Sequence, residues 1–123
     1  MQIKIYAVNL PAKKNDISFS CRGKYPVKYK SAKLIQFEKD CAIQLLTQKK
    51  KFFETPIQVT YKVYLNHRFM NRDVDNIVTT LSDMLEENGI IKNDSLVMKS
   101  IGEKFLIPKT ELERAEIEII DYK

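Results

Sequence analysis

The chain predicts an α+β fold: one mixed, largely antiparallel sheet with two helices packed on it. Three observations predict it. Residues 57–65 (IQVTYKVYL) alternate apolar and polar, which is the period of a half-buried strand. Two longer stretches, 31–52 and 75–88, repeat apolar residues at helical spacing instead. The order of all the segments reads β, hairpin, α, β, α, β, β.

Each element has its own local reason. Residues 2–8 (QIKIYAV) alternate around Ile3 and Ile5 and read as a strand. Pro11 to Asp16 is a loop, and residues 17–29, with Gly23 and Pro26, read as an irregular basic hairpin. From Ser31, a good N-cap, to about Phe52, the residues Leu34, Ile35, Ala42, Leu45 and Leu46 set a helical stripe. The strand at 57–65 puts Ile57, Val59, Tyr61, Val63 and Leu65 on one face. A polar loop, NHRFMNR, leads to a helix from Asp75 to Asn88 with Ile77, Val78, Leu81, Met84 and Leu85 on its apolar side and Gly89 suited to its C′ position. After a turn at 90–94, residues 95–107 and 113–120 read as two more strands, with Pro108 to Glu111 between them.

Size and composition set limits. With 123 residues, 44% hydrophobic and 30% charged, residues 1–123 are expected to form a single globular domain with its own core. No apolar run approaches the ~20 residues that cross a bilayer, and the N-terminus lacks a signal-peptide pattern, so a cytoplasmic protein with no membrane contact is expected. Two cysteines make no disulfide framework and no CxxC pair suggests zinc; Cys21 and Cys41 are expected to be reduced thiols, Cys41 in a core. His67 is the single histidine, and nothing near it supports nucleophilic catalysis of the Ser-His-Asp kind. The net charge is +5, with basic residues clustered at Lys13 and Lys14, at Arg22, Lys24, Lys28, Lys30 and Lys33, and at Lys49 to Lys51. Such runs are either a solvated face or a footprint for an anionic partner such as nucleic acid.

Arg72-Asp73-Val74-Asp75-Asn76 is the stretch that carries chemistry. Carboxylates at i and i+2 of an extended segment point to the same side, and hard cations such as Mg²⁺ take carboxylate oxygens while keeping several waters. Asp73 and Asp75 therefore form half of a metal site. Taken alone, acids before a helix are more ordinarily caps that favour the helix dipole. Asp94 follows the far end of a helix roughly 20 Å long, at ~1.5 Å per residue, so within one subunit it is not near Asp73. A two-fold dimer with antiparallel copies of this helix would bring the two ends together. Each site is then expected to take Asp73 and Asp75 from one subunit and Asp94 from the other.

With these residues in view, the sequence resembles the RusA family of Holliday-junction resolvases. Arg72, Asp73, Asp75, Asn76, Asp83, Leu85, Gly89, Asn93, Asp94, Val97 and Lys104 follow the family's spacing without a gap, and Pro11-Ala-Lys-Lys14-Asn15 resembles its N-terminal element. The resemblance implies a homodimer, a Mg²⁺ (or Mn²⁺) requirement, and paired symmetric nicks in branched DNA such as a four-way junction. It implies that Asp73, Asp75 and Asp94 are the catalytic, metal-binding carboxylates, with Asn76 and Lys104 in support. DNA is expected at Lys14, Asn15, Arg22, Lys24 and Arg72, although Arg72 and Arg68 serve equally to balance the carboxylates. Three positions depart from the family pattern: Thr79 stands where a catalytic Lys is common, Asn93 replaces the first acid of an acidic pair, and Asp16 replaces an Arg. Lys104 and Lys99 are the candidate cations in place of residue 79, where a charge would stabilise the transition state. Asp83, on the second helix, is expected at the surface or a dimer contact.

Two other functions fit the same residues. One is a DNA- or RNA-binding module that has lost catalysis, for which Thr79 is the main argument. The other is a metal-dependent phosphohydrolase of small substrates, against which the basic runs argue mildly.

Overall fold

A computed structural model of the chain describes residues 1–7, 9–11, 17–22, 25–48 and 51–123, the side chains of 17–22, 25–30 and Phe69 excepted. Its elements follow the predicted order: β1 (Gln2–Ala7), β2 (Ile17–Arg22), β3 (Tyr25–Lys30), α1 (Ala32–Leu46), β4 (Ile57–Leu65), α2 (Val74–Glu87), β5 (Val97–Leu106) and β6 (Glu113–Asp121). Among the described residues, β1, β6, β4 and β5 form one sheet in that spatial order, and β2 pairs with β3 as a separate hairpin. β6 runs antiparallel to both β1 and β4, whereas β4 and β5 are parallel and joined by the crossover that contains α2. This is the mixed, largely antiparallel α+β sheet with two helices that the alternation predicts.

The core lies on one face of the sheet. Ile3 and Ile5 of β1, the five alternating residues of β4, and Ala115, Ile117 and Ile119 of β6 are all buried there. Phe37, Cys41 and Leu45 of α1 and Ile77, Leu81, Met84 and Leu85 of α2 pack onto them. The other face carries a row in register, with Tyr64 stacked on Phe105 at 4.9 Å and Arg114 3.8 Å above the Tyr64 ring.

α1 departs from expectation in length and in face. Ser31 caps it, accepting from the Leu34 N–H at 3.1 Å, but the helix ends at Leu46 rather than near residue 52. Phe53 leaves the helix because its backbone pairs elsewhere, donating to Ile90 O at 2.9 Å and accepting from Lys92 N at 3.0 Å. Its buried stripe is Leu34, Phe37, Cys41 and Leu45, while Ile35 and Leu46 are exposed and Ala42 faces solvent. The thiol of Cys41 is free and buried, and burial, with Asp40 and Glu38 adding to it, pushes its pKa up to about 12.

Two glutamines, Gln44 in the last turn of α1 and Gln48 just beyond its end, blunt the free edge of β1. Gln44 accepts from Tyr6 N and donates to Tyr6 O, both at 2.8 Å. Gln48 does the same with Lys4, at 2.9 and 2.8 Å. The side-chain amides thus stand in for a neighbouring strand on an edge that would otherwise invite pairing.

Candidate active site

The parallel β4–α2–β5 unit fixes where the chemistry-bearing residues sit. α2 begins at the carboxyl ends of β4 and β5 and runs back to their amino ends. Asp73, the N-cap residue of α2, has extended backbone (φ −70°, ψ 136°), and its carboxylate makes no capping hydrogen bond. Its carbonyl starts the helix ladder, accepting from Ile77 N at 3.3 Å. Asp75 lies in the first helical turn. Both side chains are exposed, and Asn76 beside them is half-buried. The ordinary reading of Asp73 as a side-chain cap is therefore not what the structure shows.

Lys104 comes to the same end of the sheet. It pairs in register with Val63, so it stands on the helix-covered face of β5. Its Nζ donates to the carbonyl oxygen of Arg72 at 3.1 Å, one residue before Asp73. Two places earlier, Gly102 lets α2 approach closely: a Cβ there would meet Val78 Cγ2 at 3.0 Å and Val74 Cγ2 at 3.3 Å. Thr79, one turn beyond Asp75, is exposed and directs its hydroxyl to the Asp75 carbonyl at 2.9 Å.

Asp94 sits at the opposite end of α2. It opens a 3₁₀ turn, Asp94–Leu96, that leads into β5; Asn93 caps this turn by accepting from Ser95 N at 2.9 Å. The Asp94 N–H donates to Glu86 Oε2 at 3.2 Å, and Asp94 lines an acidic hollow with Asp83, Glu86, Glu87 and Asn93. Among the described residues of one chain no three acids, cysteines or histidines are grouped to hold a metal. The candidate donors are all carboxylate oxygens, which suits a hard divalent cation, but they stand apart at the two ends of α2.

The Arg72 side chain is turned inward in this chain. It is only 6% exposed and is clamped by Glu113, which is fully buried. Nη1 donates to Glu113 Oε1 at 2.6 Å and Nη2 to Oε2 at 2.5 Å, with further bonds to the carbonyls of Leu10 (3.1 Å) and His67. Among the described residues its Nε is buried without a partner. Of the two roles expected for Arg72, the structure shows the balancing of a carboxylate, and the carboxylate is Glu113 rather than Asp73 or Asp75. Burial raises the pKa of Glu113, but the Arg72 hydrogen bonds, the N–H groups of Leu10 and Asn66, and the guanidinium charge outweigh it and hold the carboxyl below its usual value. Between these elements Arg68 adopts a left-handed backbone (φ 47°), a conformation uncommon for a residue with a Cβ.

Sequence reasoning missed Glu113, although a signal was there. Its position is in phase with Ala115, Ile117 and Ile119, the inward residues of β6, and an acid on a core-facing phase needs a partner. Of the expected DNA-binding residues, Lys14, Asn15, Lys24 and the side chain of Arg22 lie outside the described residues.

Residues 10–120 match the family described as Endodeoxyribonuclease RusA, most of the chain. A search of the curated proteins finds no match. The chain belongs to the RusA family of endodeoxyribonucleases, metal-dependent hydrolases that act on branched DNA.

Proposed function

We propose that the chain resolves four-way DNA junctions as a homodimer with Mg²⁺ (or Mn²⁺) as its cofactor. Each site takes Asp73 and Asp75 from one protomer and Asp94 of the partner subunit. The observation that carries this reading is the separation of the acids. Asp73 and Asp75 stand at the start of α2, Asp94 at its far end, with Asp94 N bonded to Glu86. Antiparallel α2 helices across a two-fold axis complete two sites at once. A four-way junction has two-fold symmetry, so the two sites meet two strands and give paired symmetric nicks.

A divalent cation held by Asp73 and Asp75 with Asp94 of the partner subunit would supply Lewis-acid polarisation of the scissile phosphate and a more acidic water. Within the chain, Asp73 and Asp75 orient the cation, and Asn76 orients a carboxylate or a phosphate oxygen. The Lys104 ammonium, held 3.1 Å from the carbonyl of the residue before Asp73, supplies the positive charge that Thr79 lacks. Lys14, Asn15, Arg22 and Lys24 hold the DNA arms through phosphate contacts, which position the substrate without reading sequence. The setting for this activity is the cytoplasm. Among the described residues no helix is long and apolar enough to cross a membrane.

Mixing the inactive variants Asp75→Asn and Asp94→Asn tests the shared site. Heterodimers should recover cleavage at one of their two sites; no recovery would count against sharing. The exposed Thr79 hydroxyl, turned back onto its own helix, favours one second reading, a protein that binds junctions without cutting them.

A further inference from the structure

We propose that Glu113 is a positioning residue for the metal centre. Through Arg72 it fixes the Leu10 segment and the Asp73–Asp75 segment at one spacing, while touching neither metal nor DNA. This rests on the proposed function above.

The carboxylate of Glu113 gathers separate pieces of the chain at the start of β6. Oε1 accepts from Leu10 N at 2.8 Å and from Arg72 Nη1 at 2.6 Å; Oε2 accepts from Asn66 N at 2.8 Å and from Arg72 Nη2 at 2.5 Å. Arg72 then returns bonds to the carbonyls of Leu10 and His67. Its own carbonyl is held by Lys104 of β5. The chain on one side of this knot, after Leu10, runs into the basic element at residues 13–15; the chain on the other side, after Arg72, is Asp73. The knot therefore joins the root of a DNA-holding segment to the root of the acidic pair.

Stability alone does not require the charge on this pair. Buried ion pairs can often be exchanged for apolar residues of similar volume with little loss. What apolar packing cannot supply is direction. A two-pronged guanidinium–carboxylate bond fixes both distance and plane, and catalytic groups must hold their places to within about half an ångström.

The test compares wild type, the apolar double variant Arg72→Met/Glu113→Leu and the single variant Arg72→Lys, which keeps charge but loses the fork. Each is measured for thermal midpoint, for four-way-junction binding in EDTA, for Mn²⁺ binding by electron paramagnetic resonance, and for junction cleavage. The double variant leaves the Leu10 and Asn66 N–H groups without their acceptor, so it should melt below wild type yet remain folded at assay temperature and bind the junction within about twofold. It should bind Mn²⁺ about tenfold more weakly and cleave about 10- to 100-fold more slowly, as losses of outer-shell partners do. Arg72→Lys should show the same pattern and stands in if the double variant does not fold. A folded variant with wild-type Mn²⁺ binding and cleavage overturns the positioning role alone. A wild-type protein that neither binds Mn²⁺ nor cleaves overturns the proposed function, and the positioning role with it.

Discussion

Lys104 Nζ lies 3.1 Å from the carbonyl oxygen of Arg72, which places an ammonium from β5 at the residue before Asp73. The same lysine sits on the helix-covered face, paired with Val63. It brings a cation from β5 to the start of α2, where Thr79 offers only a hydroxyl bonded to the Asp75 carbonyl. Lys104→Ala is expected to slow junction cleavage about 100-fold, the scale of losing one preorganised charge-stabilising donor, with junction binding little changed. Single-turnover cleavage beside a binding titration checks this.

Thr79→Lys adds a second cation one turn from Asp75. Position 79 is exposed, and Lys is a somewhat better helix former than Thr, so the thermal midpoint should hold or rise slightly. Cleavage by Thr79→Lys should be faster than wild type, and in the Lys104→Ala background it should restore part of the lost rate. Failure to restore any activity would show that the two positions do not reach the same phosphate.

Glu113 predicts an acid-sensitive fold. Its folded-state pKa lies below the ordinary value of 4.5, so its ionised form is stabilised in the native state. That contribution is fully present above the unfolded-state pKa and is lost as pH falls through the lower, folded-state one. Urea midpoints of wild type should hold between pH 7 and about 5 and then fall, and the apolar double variant at Arg72 and Glu113 should lose less over the same range. Glu113→Ala, which leaves Arg72 buried and unpaired, should cost about 3–5 kcal/mol.

Gly102 lets β5 lie close against the first turns of α2. In Gly102→Ala the new Cβ meets Val78 Cγ2 at 3.0 Å and Val74 Cγ2 at 3.3 Å, and valine has little rotamer freedom in a helix. The first turn of α2 must lift, at about 1–3 kcal/mol of stability. Because that turn carries Asp75, cleavage should fall together with the thermal midpoint.

The double variant Gln44→Ala/Gln48→Ala uncovers the β1 edge. Loss of its four hydrogen bonds to Lys4 and Tyr6 should cost about 1–2 kcal/mol, since exposed bonds contribute at the low end of the usual range. Sedimentation velocity should then show concentration-dependent self-association of the unprotected strand.

Much of this fold is legible in the sequence because one face of the sheet is buried. Ile57, Val59, Tyr61, Val63 and Leu65 alternate without interruption, and all five are buried in the structure. Gly89 adopts the left-handed conformation (φ 69°) that a helix end favours. α1 was harder to read. Ile35 and Leu46 are as apolar as Leu34 and Leu45, and only the tertiary partner decides that Phe37 and Cys41 face inward in their place. Its end was hidden for the same reason, since Phe53 is drawn away by Ile90 and Lys92, residues far along the chain. The acids at 73, 75 and 94 are visible as a pattern, but the role of Arg72 is not. Its partner Glu113 lies 41 residues away, and only the inward phase of β6 hints that a buried acid waits there.

Incubation of the protein with an end-labelled four-way junction and a matched linear duplex, in Mg²⁺ or in EDTA and beside Asp75→Asn, tests the central claim most directly. Symmetric nicks are expected in the junction alone, lost in EDTA and in the variant. Tight junction binding with no nicking in either Mg²⁺ or Mn²⁺ would contradict that claim and leave a branched-DNA-binding protein in its place.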